Sequence, residues 1–224
     1  MKRALVTGGA GTLGAAICRR LARDGLHVIV HARARLKLAE NVASVIRADG
    51  GSAETLSCDL TDVDATAAAL QPILADGVPQ VLVHSAGTHD DVPMAGMSEQ
   101  QWRQVIDVSL NGFYAVSRPL LLPMMATRWG RIIAISSVSA IMGNRGQVNY
   151  AAAKAGLIGA VRTLALELAS RGVTVNAIAP GIIDSPWVTE ALDPQRIAEI
   201  VPKARGMFRY HLFRHHGIDR DFRL

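Results

Sequence analysis

Within residues 130–156 three side chains can converge on one reacting carbonyl: the hydroxyl of Ser137, the phenol of Tyr150 and the amine of Lys154. Residues 150–168 are rich in Ala and Leu and are predicted to be helical, so Tyr150 and Lys154, four apart, share a helix face. Residues 131–136 are predicted to form a buried strand, because Ile132, Ile133, Ala134 and Ile135 make a short apolar run without a helical stripe. That strand delivers Ser136 and Ser137 at its end. A phenol at its usual pKa of about 10 is a poor proton donor at neutral pH. An ammonium one helical turn away favours the phenolate and is expected to lower that pKa. A serine hydroxyl can hold the same substrate oxygen as charge develops on it. The chemistry implied is reduction of a carbonyl, or the reverse oxidation.

The rest of the chain supplies elements that position a cofactor against these groups. Residues 2–7 are predicted as a first strand and residues 13–24 as a helix with the stripe Leu13, Ala16, Ile17 and Leu21. Between them runs Thr7-Gly8-Gly9-Ala10-Gly11-Thr12-Leu13-Gly14. Glycines there permit a tight turn and close approach of backbone to a diphosphate, with the helix N-terminus presenting free N–H groups to the anion. A second strand, residues 26–31, ends in Ala32-Arg33-Ala34-Arg35, with no acidic residue. A carboxylate there would repel a 2′-phosphate, whereas Arg33 or Arg35 can pair with one, so NADP(H) is preferred over NAD(H). A helix over 37–48, a third strand through Leu56, a fourth over 79–84 and a sixth over 173–179 complete the alternation. Residues 101–125 read as one long helix, interrupted or bent near Pro119 or Pro123.

At 224 residues and half apolar composition, the chain fits one substantial α/β core rather than two domains. Of the net charge of +5, most falls after residue 202, so it is not a nucleic-acid signature of the body. Cys18 and Cys58 fall in a predicted core helix and strand without paired spacing, which favours reduced thiols and a cytoplasmic location over a disulfide or metal site. Glycines interrupt the apolar N-terminus, so neither a secretion signal nor a membrane span is expected.

With Ser137 thirteen residues before Tyr150, the loop 7–14 at the front and Pro180-Gly181 after the sixth strand, residues 1–205 resemble the short-chain dehydrogenase/reductase family, nearest its 3-oxoacyl-[acyl-carrier-protein] reductases. The resemblance implies a single doubly wound Rossmann-type parallel sheet, NADP(H) as cofactor and a homo-oligomer. It implies that Thr7, Gly8, Gly11, Thr12, Leu13, Gly14, Asp59, Leu60, Ala86 and Gly87 contact the cofactor, the pair Asp59 and Leu60 at the adenine. Pro180, Gly181, Ile183 and Ser185 would line the nicotinamide pocket, under a cover formed by residues 186–202. The implied reaction is reduction of a 3-oxoacyl thioester on an acyl carrier protein, with Tyr150 as proton donor, Ser137 on the substrate oxygen and Lys154 on the cofactor ribose. Arg128 and Arg171 match positions that present basic side chains to the acidic carrier.

The sequence also departs from the family pattern. Thr12 stands where glycine is commonest, with Gly11 one residue earlier, and His84-Ser85 replaces two asparagines; His84 is expected to be a hydrogen-bonded structural substitute. Ser109 replaces the fourth catalytic residue, an asparagine in a water-mediated proton relay, where its hydroxyl or carbonyl could hold the relay water. Residues 206–224 fit neither a strand nor a helix and read as a basic, poorly ordered tail in place of the last strand; its His215-His216 pair reads as solvated rather than metal-binding. Alternative functions are oxidoreduction of another alcohol or ketone, or a non-catalytic role as partner subunit of a full-length relative.

Overall fold

A computed structural model describes residues 1–181 and 183. Six strands, β1 (Arg3–Thr7), β2 (His27–Ala32), β3 (Ser52–Ser57), β4 (Pro79–His84), β5 (Gly130–Ile135) and β6 (Val173–Ile178), form one parallel sheet in the order β3-β2-β1-β4-β5-β6. Parallel neighbours need crossovers, and the helices that provide them cover both faces. They are α1 (Thr12–Arg23), α2 (Leu36–Ala48), α3 (Val63–Asp76), α4 (Glu99–Ile106), α5 (Gly112–Thr127), α6 (Ser139–Met142) and α7 (Val148–Leu168).

Strand residues alternate between two cores, as the pleat requires. Ala4 and Val6 of β1 join Val28, Val30, Val81 and Val83 beneath α1 and α2, where Ala15, Cys18, Ala39, Ala43 and Ile46 pack. Leu5 joins Ile29, Leu82 and Ile132 on the other face, against Leu70 of α3, Phe113, Leu120 and Met124 of α5, and Leu157 and Val161 of α7. The order of strands reverses direction between β1 and β4. In an open parallel sheet that reversal leaves a crevice outside the carboxyl ends of the strands, where ligands bind.

Three local expectations are corrected. The face of α1 that packs hardest on the sheet is Gly14, Ala15 and Cys18, while Ala16 is exposed and Leu13, Ile17 and Leu21 are half-buried around it. Small residues let the helix approach closely; a Cβ on Gly14 would lie 2.2 Å from the Gly8 carbonyl oxygen. The long helix is interrupted at a π-helical turn, Asp107–Asn111, rather than near Pro119 or Pro123, which lie within α5. Cys58 lies just past β3 rather than in it, and both cysteines are free thiols. Among the described residues no helix is long and apolar enough to cross a membrane. The expected boundary near 205, the tail 206–224, the replaced last strand, the cover 186–202 and Ser185 lie outside the described residues.

Candidate active site

A cleft of about 510 Å³ opens along the carboxyl ends of the strands. Of the expected site residues, Gly8, Gly11, Thr12, Leu13, Gly14, Arg33, Arg35, Asp59, Leu60, Ala86, Gly87, Ser137, Tyr150, Lys154, Pro180, Gly181 and Ile183 line it. Thr7 and Ser109 lie buried behind its wall. The lining also includes His31, Ser85, Thr88, His89, Gln104, Val108 and Ser136, to which the sequence reading assigned no ligand contact. His31 had a recognisable signal: a polar residue near the carboxyl end of a parallel strand, on the edge where such sheets bind ligands.

At one end of the cleft the glycine loop turns into α1. Gly8 adopts φ +65° and lies so close to β4's continuation that a Cβ there would sit 3.0 Å from the Ala86 backbone. Gly11 caps α1 without a side-chain hydrogen bond and its first turn carries no acidic residue. The free N–H groups of that turn therefore face the cleft as a cradle for an anion. Across from it Arg33 Nη1 lies 3.8 Å from Asp59 Oδ2, with both side chains half-exposed. Burial works to raise the Asp59 pKa, but hydrogen bonds from the Thr61 amide and hydroxyl, together with Arg33, hold it below the usual value. This end combines an anion cradle, two guanidinium groups and a carboxylate, and it fits a phosphorylated dinucleotide.

At the other end α7 brings up Tyr150 and Lys154 beside the Ser137 that follows β5. The Ser137 hydroxyl, which accepts from the Ser139 amide at 3.2 Å, lines the cleft together with the Tyr150 phenol and acts to lower its pKa. Lys154 Nζ lies 5.7 Å from the centre of the Tyr150 ring and donates to the Ile135 carbonyl at 2.8 Å. Lys154 is 3% exposed, and burial alone pulls its pKa from 10.5 down to about 8. The expected lowering of the Tyr150 pKa is not what this state shows. Burial raises it, with Asp91 adding to the rise and the neighbouring Ser137 hydroxyl only partly offsetting it, because desolvation penalises a phenolate more than a cation several ångströms away relieves it.

Backbone and side-chain hydrogen bonds hold this end together. Asn149, fully buried, donates to the carbonyls of Asp90 and Gln101 and accepts from the Tyr150 amide at 2.7 Å. It ties the start of α7 to α4 and to the loop after β4. Ser136 Oγ donates to the Lys154 carbonyl at 2.7 Å, and the amides of Ser136 and Val138 donate to Ile178 and Pro180. Ser109 sits on the π-helical turn with its carbonyl engaged by His84 Nε2 at 2.9 Å. Among the described residues its hydroxyl is the one buried side-chain polar atom without a hydrogen-bond partner. A Cβ on Gly87 would meet Lys154 Nζ at 3.1 Å and Ser109 Oγ at 3.4 Å, so both polar groups border the same small space. His84 is hydrogen-bonded and buried, as expected of a structural substitute.

Arg128 and Arg171 are placed elsewhere. Arg128 follows α5 and Arg171 precedes β6, at the amino ends of the strands and away from the cleft, where Arg128 Nη2 reaches the Ser170 carbonyl at 3.4 Å. Gly172, φ +72°, is required at this meeting of loops, since a Cβ would lie 2.2 Å from the Arg128 carbonyl oxygen.

The model of the family described as short chain dehydrogenase matches residues 2–196. The chain is 40% identical over 203 residues to the 3-oxoacyl-[acyl-carrier-protein] reductase FabG of Aggregatibacter actinomycetemcomitans, covering 90% of this chain and 84% of the relative. It is 41% identical over 198 residues to the protein of the same name from Pseudomonas aeruginosa, covering 88% and 80% respectively. It is also 41% identical over 207 residues to Nodulation protein G of Azospirillum brasilense, covering 91% and 84%.

Proposed function

The chain belongs to the short-chain dehydrogenase family, and from that premise we propose that it reduces a 3-oxoacyl thioester, held on an acyl carrier protein, to the 3-hydroxyacyl thioester with NADPH. The observation that carries this reading is the meeting of Ser137, Tyr150 and Lys154 on the wall of the same cleft that the glycine loop enters, with Lys154 Nζ 5.7 Å from the Tyr150 ring centre. The names of the relatives support the substrate class.

When bound, NADPH supplies the reducing equivalent received by the carbonyl carbon. The protein's part is to place that carbon and to manage one proton. Tyr150, kept protonated by its burial, donates its proton to the carbonyl oxygen as charge develops there. Ser137 donates a second hydrogen bond to that oxygen and fixes its position. Lys154 spends one of its three N–H donors on Ile135, leaving two for the cofactor ribose and for a water. Ser109 Oγ, without a partner among the described residues and bordering the space beside Lys154 Nζ, holds that water and returns protons toward Tyr150 in place of the family's asparagine. The free amides of α1 receive the diphosphate, and Arg33 and Arg35 pair with a 2′-phosphate, for which Asp59 competes at Arg33.

The test is loss of NADPH absorbance with an acetoacetyl thioester. Turnover should disappear in Tyr150→Phe while NADPH binding persists; turnover surviving that change would overturn the assignment. Replacing both Arg33 and Arg35 by Ser should weaken NADPH by about tenfold for each charge-assisted bond lost, and leave NADH little changed. For the carrier, Arg128 and Arg171 lie away from the cleft, so a carrier protein engaging them either spans the sheet's length or reaches the cleft of a neighbouring copy in a homo-oligomer. Charge reversal at both should then raise KM for the carrier-bound substrate and not for a carrier-free thioester.

A further inference from the structure

The carboxyl ends of β2, β1 and β4 place His31, Thr7-Gly8 and His84 side by side. We propose that His31 and His84 are positioning residues that bracket the first two residues of the glycine loop, each accepting a hydrogen bond from the loop at Nδ1 and each anchored by Nε2–H to a backbone carbonyl beyond it. The role in cofactor binding rests on the dinucleotide reading above; the bracket itself rests on the geometry alone.

The tautomers follow from the partners. His31 Nε2 lies 3.1 Å from the Cys58 carbonyl, which can only accept, and His31 Nδ1 lies 3.3 Å from the Gly8 amide, which can only donate. His31 is therefore the neutral Nε2–H form. His84 Nε2 lies 2.9 Å from the Ser109 carbonyl, so it too carries the proton. Its Nδ1 lies 3.0 Å from Thr7 Oγ1, and that oxygen already accepts from the Ser85 and Ala86 amides at 3.1 Å each. With both lone pairs used, the Thr7 hydroxyl has its proton free for Nδ1. Two separate sets of contacts thus give one pattern on either side of β1.

Both rings suit a fixed neutral role. They are 3% and 0% exposed, and burial lowers both pKa values, that of His84 to about 3 with Lys154 adding to the effect. Small movements in the bracketed segment matter because Gly8 already lies against the Ala86 backbone, and Gly87 beside it borders Lys154 Nζ and Ser109 Oγ. His31 bonds the glycine loop and the Cys58 carbonyl, and neither contact touches the Ser109 turn. His84 reaches the loop and also the Ser109 turn, so the two residues should have different kinetic signatures.

The experiment uses the full chain with its histidine rings labelled with nitrogen-15, together with NADPH titration and steady-state kinetics. At neutral pH both rings should show the Nε2–H tautomer, assigned by their loss in His31→Phe and His84→Phe. His31→Phe should raise the Kd and KM for NADPH by about tenfold with a much smaller change in kcat. His84→Phe should raise the same constants and lower kcat by about tenfold as well. If a Phe variant does not fold, the Asn variants, which keep a donor and an acceptor, should fold and recover part of the affinity. An Nδ1–H or protonated ring at either position, or folded variants that bind and turn over like wild type, would overturn the bracket. A wild-type chain that binds no NADPH would overturn the cofactor reading instead, and the tautomers would still decide the bracket.

Discussion

Lys154 brings an ammonium into a place that is 3% exposed, and its pKa falls to about 8 from 10.5. The unfolded chain therefore binds more protons than the folded one between those values, so this group's penalty on stability is full below pH 8 and disappears as pH rises toward 10.5. Its size is on the order of 3 kcal/mol. Lys154→Met, which leaves the Ile135 carbonyl without this donor, should still be more stable than wild type at pH 7 in urea unfolding, by about 1–3 kcal/mol, and the difference should close over that alkaline window. Turnover should vanish in the same variant. Ser109→Ala removes a buried hydroxyl that has no hydrogen-bond partner among the described residues, so its thermal midpoint should not fall, while kcat should drop as proton return slows. At this scale the sequence showed which groups meet, since Ser137, Tyr150 and Lys154 announce themselves by type and spacing. It did not show their electrostatics: the ammonium neighbour argued for a lowered Tyr150 pKa, and the burial that reverses the sign depends on everything packed around it.

The elements were readable where periodicity is simple. The strand β4 matches its sequence-based bounds, and α2, α7, β5 and β6 differ only at their ends. The π-helical turn was invisible because apolar spacing runs through it without a breaker, and the prolines downstream offered a more obvious bend. The inner face of α1 was misread for a related reason: pattern reading looks for large apolar side chains, whereas a helix that starts beneath a cofactor loop needs small ones. Two helical glycines make this testable. Gly14→Ala would put a methyl 2.2 Å from the Gly8 oxygen and should cost roughly 3 kcal/mol in urea unfolding, with NADPH binding lost. Gly159→Ala, in α7 with nothing within 4 Å of the new methyl, should gain about 0.5–1 kcal/mol and bind NADPH as wild type does.

Across the whole molecule the two ends of the sheet carry different duties. At the amino ends Arg3, 7% exposed, donates to the Ile73 and Gly77 carbonyls at 2.8 and 2.6 Å and pairs with Glu54 and Asp76 at 2.6 and 3.1 Å. That single side chain ties β1 to β3 and to the end of α3. Arg3→Ala takes a partner from two carbonyls and two carboxylates and should lower stability by about 2–4 kcal/mol, with kcat per folded molecule unchanged. The alternation of strands and helices showed the sheet from sequence, but not this tie, because Arg3 reads as part of a charged N-terminus until its strand is paired. Four residues along the same strand stands Thr7, which meets the ring that faces the reacting groups. The span between them is about 13 Å of extended chain. Substitutions at the two ends are too far apart to share partners, so their free-energy changes should add in a double-mutant cycle. An engineer could therefore raise heat resistance at one rim and retune cofactor preference at the other in separate campaigns, and merge the results without further optimisation.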